Sequence, residues 1–169
     1  MRYAGLIKDD VNNGFGVGLT LFTQGCPHHC KGCQNPETWN FDGGKEYTEE
    51  VYNEIIEYFM NNSYATRLTL SGGDPLYSPQ IILPLCEKIK EIRPDVKIWL
   101  YTGHLFEDIK DKPIIKFLDV VVDGPFILEE RDITLPFRGS RNQRLIDVKK
   151  SLEENKINIL VDNFSKNMI

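Results

Sequence analysis

Three of the four cysteines of this 169-residue chain lie within one short segment. Cys26, Cys30 and Cys33 have the spacing C-x3-C-x2-C, whereas Cys86 stands apart. Such a segment can place three thiolates around one side of a cubic iron–sulfur cluster, in which each iron takes one protein sulfur. The fourth iron would keep an open coordination position, which is where a metal generally binds substrate. The spacing therefore indicates a metal centre that carries out chemistry.

Other uses of these thiols are also compatible with the sequence. A zinc ion could be bound by the three cysteines together with His28, His29 or His104, although the segment lacks the paired C-x2-C arms of most zinc sites. Cys30 and Cys33 could instead form a thioredoxin-like redox pair, which would leave the third cysteine without a role. Both alternatives account for less of the pattern than a cluster does.

The remaining cysteine and the paired histidines are not expected to bind the cluster. Cys86 is placed beside Leu85 and Ile89 on the apolar side of a predicted helix, which is typical of a buried structural thiol. His28 and His29 are expected to be exposed loop residues, because a cluster held by thiolates gains nothing from imidazole ligands.

The composition is typical of a single globular domain, expected over residues 1–169. Hydrophobic residues make up 41% of the chain and charged residues 27%, and the length is sufficient to bury one core. We find no leader peptide and no apolar run long enough to span a bilayer, so we expect a cytoplasmic protein that does not bind membranes. Cytosolic thiols stay reduced, which disfavours a disulfide. The formal net charge of −5 disfavours binding to nucleic acid.

The order of predicted elements indicates the fold class. Apolar and β-branched runs predict strands at 17–22, 66–71, 96–102 and 118–125. Helices are predicted to follow Thr48, a suitable N-cap, and Ser78-Pro79. Strands that alternate with helices predict an α/β fold with a mostly parallel sheet and right-handed crossovers. A complete eight-unit barrel needs about 250 residues, so we predict a single-domain, partial and open β/α barrel.

Residues that could bind a ligand follow the predicted strands, where ligands collect in α/β folds. Beyond the cysteine segment they are Ser71-Gly72-Gly73-Asp74-Pro75, Tyr101-Thr102-Gly103 and Asp123-Gly124-Pro125. Glycines have no Cβ and let the backbone approach a ligand, and Asp74 can accept a hydrogen bond from an ammonium group. A plain β-turn would also explain Gly-Gly-Asp-Pro, and Asp123 could equally begin a turn.

Three stretches together carry a resemblance to a known family: TLFTQGCPHHCKGCQNPETWNFDGG, SGGDPL and PFRGSRNQRLIDV. Over residues 3–148 the chain resembles the radical S-adenosylmethionine enzymes, and among them the activating proteins of anaerobic ribonucleoside-triphosphate reductases. The resemblance implies a partial barrel of the radical S-adenosylmethionine type. It also implies a 4Fe–4S cluster on Cys26, Cys30 and Cys33 whose open iron is chelated by S-adenosylmethionine. Reductive cleavage then gives methionine and a 5′-deoxyadenosyl radical, which creates a glycyl radical on the reductase.

The resemblance further implies which residues contact S-adenosylmethionine. They belong to the cysteine segment, the glycine segment and the last predicted strand: Gly32, Cys33, Gln34, Ser71, Gly72, Gly73, Asp74 and Asp123. In relatives the glycine segment holds the methionyl amino group, and a polar residue like Asp123 binds the ribose hydroxyls. The chain departs from the wider superfamily in two places. Asp74 replaces a glutamate, and Gly32 replaces an aromatic residue, so that adenine must find another surface.

The implied partners are proteins. They are the large subunit of the anaerobic ribonucleoside-triphosphate reductase, which is the glycyl radical protein, and an external electron donor such as flavodoxin or a thioredoxin- or ferredoxin-type reductant. An activating enzyme of the pyruvate formate-lyase type is the alternative, although many such chains carry extra cysteines for accessory clusters. The basic segment with Arg138, Arg141 and Arg144 is a candidate docking or ligand-anion site.

Overall fold

Seven strands form one sheet in residues 1–160, the part of the chain that the computed structural model describes. The strands are β1 (Arg2–Asp10), β2 (Gly18–Thr23), β3 (Lys45–Glu46), β4 (Arg67–Gly72), β5 (Lys97–Tyr101), β6 (Val120–Asp123) and β7 (Arg144–Asp147). Their order across the sheet is β3-β1-β2-β4-β5-β6-β7. The four central strands β2, β4, β5 and β6 are parallel, whereas the pairings of β1 with β2 and β3 and of β7 with β6 are antiparallel.

Three of the four α-helices connect parallel strands, and the fourth follows β7. The α-helices are α1 (Glu49–Asn61), α2 (Pro79–Ile92), α3 (Phe106–Ile109) and α4 (Val148–Glu154). Short 3-10 helices span Pro36–Thr38, Pro75–Tyr77, Pro113–Phe117 and Leu128–Glu130. The crossovers from β2 to β4 and from β4 to β5 carry α1 and α2, which contact each other.

Local sequence explains where the two long helices begin. The side chain of Thr48 accepts a hydrogen bond from the backbone N–H of Val51, so it is the N-cap predicted for α1. Pro79 occupies the first turn of α2, where its missing N–H costs no hydrogen bond. Pro84 lies inside α2, and the helix nevertheless begins at Pro79.

Alternating strand residues separate the two faces of the sheet. Leu68, Leu70 and Ile98 point into the main core beneath the helices, where Cys86 is also fully buried. Trp99 and Val122 belong to a second, smaller cluster on the opposite face. Helices therefore cover one face, and the loops on the other face are left to form a site.

The expected fold class is confirmed at the level of an α/β protein with an open sheet. The predicted parallel arrangement holds for the four central strands, and the sheet as a whole is mixed, because three of its six strand pairings are antiparallel. The antiparallel pairs arise at the margins, where β1 turns back into β2 and where β7 returns beside β6. Residues 161–169 of the expected single domain lie outside the described residues.

A buried arginine fixes the loop that joins β1 to β2. The Arg67 guanidinium donates hydrogen bonds to the carbonyl oxygens of Gly14 and Gly16, each at 2.8 Å, and to the carbonyl and carboxylate of Asp10. Burial opposes ionisation of Asp10, but hydrogen bonds from Thr20 and other donors hold the pKa of its carboxyl below the usual value. Both charged groups are nearly inaccessible to solvent, so each depends on the other to compensate its buried charge.

Replacing Arg67 with Met should lower the free energy of unfolding by about 3–5 kcal/mol, because the Asp10 carboxylate would remain buried without its cation. Urea denaturation of the metal-free protein measures this change. Lys97→Met is the matched control on the neighbouring strand, since the Lys97 side chain is 61% exposed and lies 3.9 Å from Asp119. The control should change stability by less than about 1 kcal/mol. Equal losses for the two variants would contradict the structural role of Arg67.

Candidate active site

A cavity of about 490 Å3 lies where the parallel strands end. It is on the sheet face opposite the helices, and strand residues such as Tyr101 and Val122 form part of its wall. Eight of the ten predicted site residues line it, namely Cys26, Cys30, Cys33, Gln34, Ser71, Gly72, Gly73 and Asp74. The structure therefore brings the cysteine segment and the glycine segment to one place.

The cysteine loop is held by the segment that follows it. The backbone N–H of Gly25 donates to the carbonyl of Thr38 at 2.7 Å, and that of Cys26 donates to the carbonyl of Trp39 at 3.2 Å. The ring of His29 stacks on the Trp39 indole with centroids 4.6 Å apart. His29 itself is exposed, as predicted. These contacts fix the direction in which the loop leaves β2.

The glycine segment is hydrogen-bonded to the cysteine loop through backbone atoms. The N–H of Gly73 donates to the carbonyl of Thr23 at 2.8 Å, and the N–H of Asp74 donates to the carbonyl of Gly25 at 3.0 Å. A Cβ on Gly73 would lie 2.4 Å from the carbonyl oxygen of Gly25, and one on Gly72 would lie 2.5 Å from that of Thr23. Gly72 also has a φ of +97°, which favours glycine. Both glycines are required for this close approach.

Asp74 is buried at the back of the cavity and accepts hydrogen bonds from three sides. Its Oδ2 atom accepts from His28 Nε2 at 2.7 Å, from Thr102 Oγ1 at 2.8 Å and from the N–H of Gly103 at 3.0 Å. Its Oδ1 atom accepts from the N–H of Leu76 at 3.1 Å. The contact with Asp74 is made by the Nε2 atom of His28, so it requires the tautomer that carries a proton on this nitrogen. These donors fix the orientation of the carboxylate.

The expectation that His28 is an exposed loop residue is wrong. Its side chain is 18% exposed, lies against the His104 ring at 4.7 Å between centroids, and contacts Asp74. His28 and Asp74 are 46 positions apart, so only the folded chain shows the contact. The one signal in the sequence is that His28 stands two positions after a cysteine that must face the glycine segment.

The ligand atoms of three residues, His28, Asp74 and His104, come within 4.8 Å of one another in residues 1–160. Their polar atoms already have partners within the chain, since Tyr77 Oη lies 2.9 Å from His104 Nε2. The three cysteine sulfurs do not form such a group in this part of the chain.

Asp123 does not reach the cavity, in contrast to its predicted contact with ribose. It is fully buried, and its carboxylate accepts hydrogen bonds from the Arg144 guanidinium and from the N–H of Phe106 at 2.8 Å. Hydrogen bonds to Asp123 raise the pKa of Arg144, which is also paired with Glu107. Asp123 thus joins β6 to the start of α3 and to β7. The predicted alternative, a structural aspartate before a turn, fits this position better.

The three arginines of the basic segment lie in three different environments. Arg144 is held by Asp123 and Glu107, so it is not a free docking residue. Arg138 lines the cavity and Arg141 is exposed at the surface. Only part of the predicted cationic site therefore faces a possible ligand.

Gly32 lies outside the cavity lining, although it immediately precedes Cys33. Its φ is +79°, and a Cβ there would lie 2.9 Å from Leu128 Cδ1 and 3.3 Å from Phe126 Cε1. The space that a side chain at position 32 would need is thus filled by residues of a distant loop. Cys86 lies on the buried side of α2, and burial raises the pKa of its thiol. As predicted, Cys86 is a structural residue.

The chemistry of the donor set fits an iron–sulfur cluster. All four cysteines are free thiols, and three of them line the cavity. Burial raises the pKa of Cys26, and the negative charges of Asp74, Cys30 and Cys33 raise it further. A cationic cluster would relieve this repulsion, because metal binding requires and stabilises the thiolate forms.

Comparison with known proteins defines the class. Residues 12–146 match the family described as a 4Fe-4S single cluster domain. The chain is 40% identical over 148 residues to the anaerobic ribonucleoside-triphosphate reductase-activating protein of Vibrio cholerae, an alignment that covers 85% of this chain and 96% of that protein. It is 40% identical over 149 residues to the protein of the same name from enterobacteria phage T4, with 86% and 93% covered. The Escherichia coli K12 protein of that name is 35% identical over 149 residues, with 85% and 96% covered.

The chain therefore belongs to the family of anaerobic ribonucleoside-triphosphate reductase-activating proteins, which confirms the resemblance seen in its sequence. The match to a single-cluster domain agrees with one group of three cavity cysteines. Among residues 1–160, no helix is long and apolar enough to cross a bilayer.

Serine substitution should separate the loop cysteines from the buried one. Changing Cys26, Cys30 or Cys33 to Ser should abolish most cluster binding, because each cluster iron takes one protein sulfur. Cys86→Ser should retain it, since this thiol lies in the core away from the cavity. Iron and acid-labile sulfide in protein purified without air provide the measurement. A Cys86→Ser protein that folds yet loses the cluster would contradict the assignment.

Proposed function

We propose that this chain activates an anaerobic ribonucleoside-triphosphate reductase by generating the glycyl radical of its large subunit. The observation that carries the proposal is the convergence of three free thiols and the Gly-Gly-Asp segment in one cavity, in a chain that belongs to this family. Relatives that carry the activating-protein name span almost the same length as this chain.

The proposed ligand set assigns the cluster to Cys26, Cys30 and Cys33 and S-adenosylmethionine to the remainder of the cavity. A cluster held by these three cysteines would, when reduced, supply the electron for cleavage of S-adenosylmethionine into methionine and a 5′-deoxyadenosyl radical. The charge pattern supports this assignment, because a buried carboxylate stands beside the thiols and can receive a cationic ammonium group.

Asp74 is the proposed partner of the methionyl ammonium group. His28, Thr102 and the N–H of Gly103 orient its carboxylate through Oδ2. Oδ1 accepts a bond from Leu76, which leaves it acceptor capacity. Being one methylene shorter than glutamate, Asp74 depends on these donors for its position.

The other predicted contacts are assigned by whether they line the cavity. Ser71, Gly72, Gly73, Cys33 and Gln34 do so, and we propose that they contact S-adenosylmethionine. Gly32 and Asp123 do not line the cavity, and we assign them no direct contact. The proposed role of Gly32 is to leave room for neighbouring residues, and that of Asp123 is to hold α3 and β7 in place.

We also propose that the chain forms one domain with a partial barrel of the radical S-adenosylmethionine type. Support comes from the four adjacent parallel strands, which follow one another in chain order, and from helices on one face of the sheet. Parallel strands that are added to the sheet in one direction along the chain are also found in barrels.

The proposed partners follow from the open cavity. Exposed residues such as Gln34 line its mouth, and a radical reaction has to be shielded from water. We propose that the reductase large subunit covers this side and presents its glycine there. An external flavodoxin or a thioredoxin- or ferredoxin-type reductant would supply the electron.

The function is tested with protein whose cluster is fully loaded under anoxic conditions. With dithionite and S-adenosylmethionine it should form 5′-deoxyadenosine and methionine. After addition of a reductase large subunit, electron paramagnetic resonance should detect a glycyl radical. A Cys30→Ser variant should give neither signal, and Cys86→Ser should give both.

Two outcomes would count against the proposal. A fully loaded protein that never cleaves S-adenosylmethionine would contradict the chemistry. Activation of a pyruvate formate-lyase but of no reductase would contradict the proposed partner and support the alternative activating enzyme.

A further inference from the structure

One aromatic ring in the cavity lies between two glycines from different loops. Phe126 follows β6 in the segment Gly124-Pro125-Phe126 and lines the cavity while remaining partly accessible. The ideal Cβ position of Gly32 lies 3.3 Å from its Cε1 atom, and that of Gly139 lies 2.9 and 3.0 Å from its Cδ2 and Cε2 atoms. The two glycines thus approach opposite edges of the ring.

We propose that Phe126 provides the surface on which the adenine base of S-adenosylmethionine stacks. The inference rests on the proposed function, because it concerns the binding mode of that ligand. A flat apolar surface beside a polar cavity wall is what a purine base requires, and any base can stack on an aromatic face. Phe126 is a binding residue in this account and takes no part in the bond cleavage.

The position of Phe126 relative to Asp74 suits a ligand with two different ends. Asp74 follows β4 and Phe126 follows β6, and β5 lies between these strands. Two strand spacings amount to about 10 Å, a distance that the ribose and the methionyl chain can span. With the ammonium group at Asp74, the base therefore reaches the loop that carries Phe126.

Other aromatic rings of the cavity are already packed or belong to the sheet. One face of the Trp39 indole is covered by the stacked ring of His29. Phe137 packs edge to face with Phe15 and Trp99, at centroid distances of 5.2 and 5.5 Å.

Phe22 and Tyr101 are strand residues, paired in register with Ser71 and Val122, so they form the cavity wall at the sheet. Phe126 is the lining aromatic that a loop carries next to Cys33.

The contact between Phe126 and Gly32 explains why position 32 is a glycine. A larger residue at position 32 would meet both Phe126 and Leu128, and the positive φ disfavours it further. The absence of a side chain beside Cys33 therefore lets a ring from the loop after β6 occupy that space.

The test measures binding of S-adenosylmethionine to cluster-loaded protein under anoxic conditions, by calorimetry and by the ligand-dependent change in the electron paramagnetic resonance signal of the reduced cluster. Phe126→Ala should weaken binding about 5- to 150-fold, the range found when a ring that stacks on a base is removed. Phe126→Tyr keeps the ring and should bind within about twofold of the original protein.

Two matched variants control for loss of packing. Leu128→Ala removes the other neighbour of Gly32, a residue that does not line the cavity, and should leave affinity unchanged. Phe22→Ala removes a different lining aromatic and should weaken binding less than Phe126→Ala does. Iron content and thermal unfolding of each variant verify that the cluster and the fold are intact. If Phe22→Ala produces the large loss and Phe126→Ala does not, the proposal is overturned.

A second probe, S-methylmethionine, carries the amino acid and sulfonium groups without the base. Its affinity should be the same for the original protein and for Phe126→Ala. If both ligands weaken equally, Phe126 supports the cavity as a whole and the inference fails. If the original loaded protein binds no S-adenosylmethionine, the proposed function itself fails, so the two failures are distinguishable.

Discussion

The site depends on the hydrogen bonds between the backbone of the glycine segment and that of the cysteine loop. Gly73 and Asp74 donate to the carbonyls of Thr23 and Gly25, at the point where β2 passes into the first cysteine of the loop. The approach is so close that a single Cβ on Gly72 or Gly73 would overlap backbone atoms. The parallel pairing of β2 with β4 places the two loops side by side, and the missing side chains let them meet.

Burial of charge follows from that contact. Asp74 is buried in the cavity that the three thiols line, and burying a carboxylate is costly unless it is hydrogen-bonded. Donors from the cysteine loop and from the loop after β5 supply those bonds, so His28 and Thr102 connect three loops around one carboxylate. Another part of the cavity wall is built differently. There an apolar ring, Phe126, fits between glycines of two loops.

Local features were predictable from the sequence, and pairings between distant residues were not. The three thiols are close in sequence, so their spacing was enough to indicate a shared site. The α1 boundary was equally clear, because a capping threonine acts within one turn. By contrast, β1 was not identified, because its first eight residues are only partly buried or exposed and its sequence has no continuous apolar run. His28 and Asp123 were misjudged because their partners lie 46 and 21 positions away.

The central claim is that docking of the glycine segment on the cysteine loop creates the binding site for S-adenosylmethionine. Its most direct test is the affinity of cluster-loaded Gly73→Ala for S-adenosylmethionine, followed through the signal of the reduced cluster. The added Cβ would meet the Gly25 carbonyl oxygen at 2.4 Å, so the loops must separate. We predict that half-saturation of this variant requires at least about tenfold more ligand than half-saturation of the original protein, as expected for overpacking of a close contact. Half-saturation at the same concentration as in the original protein would contradict the claim.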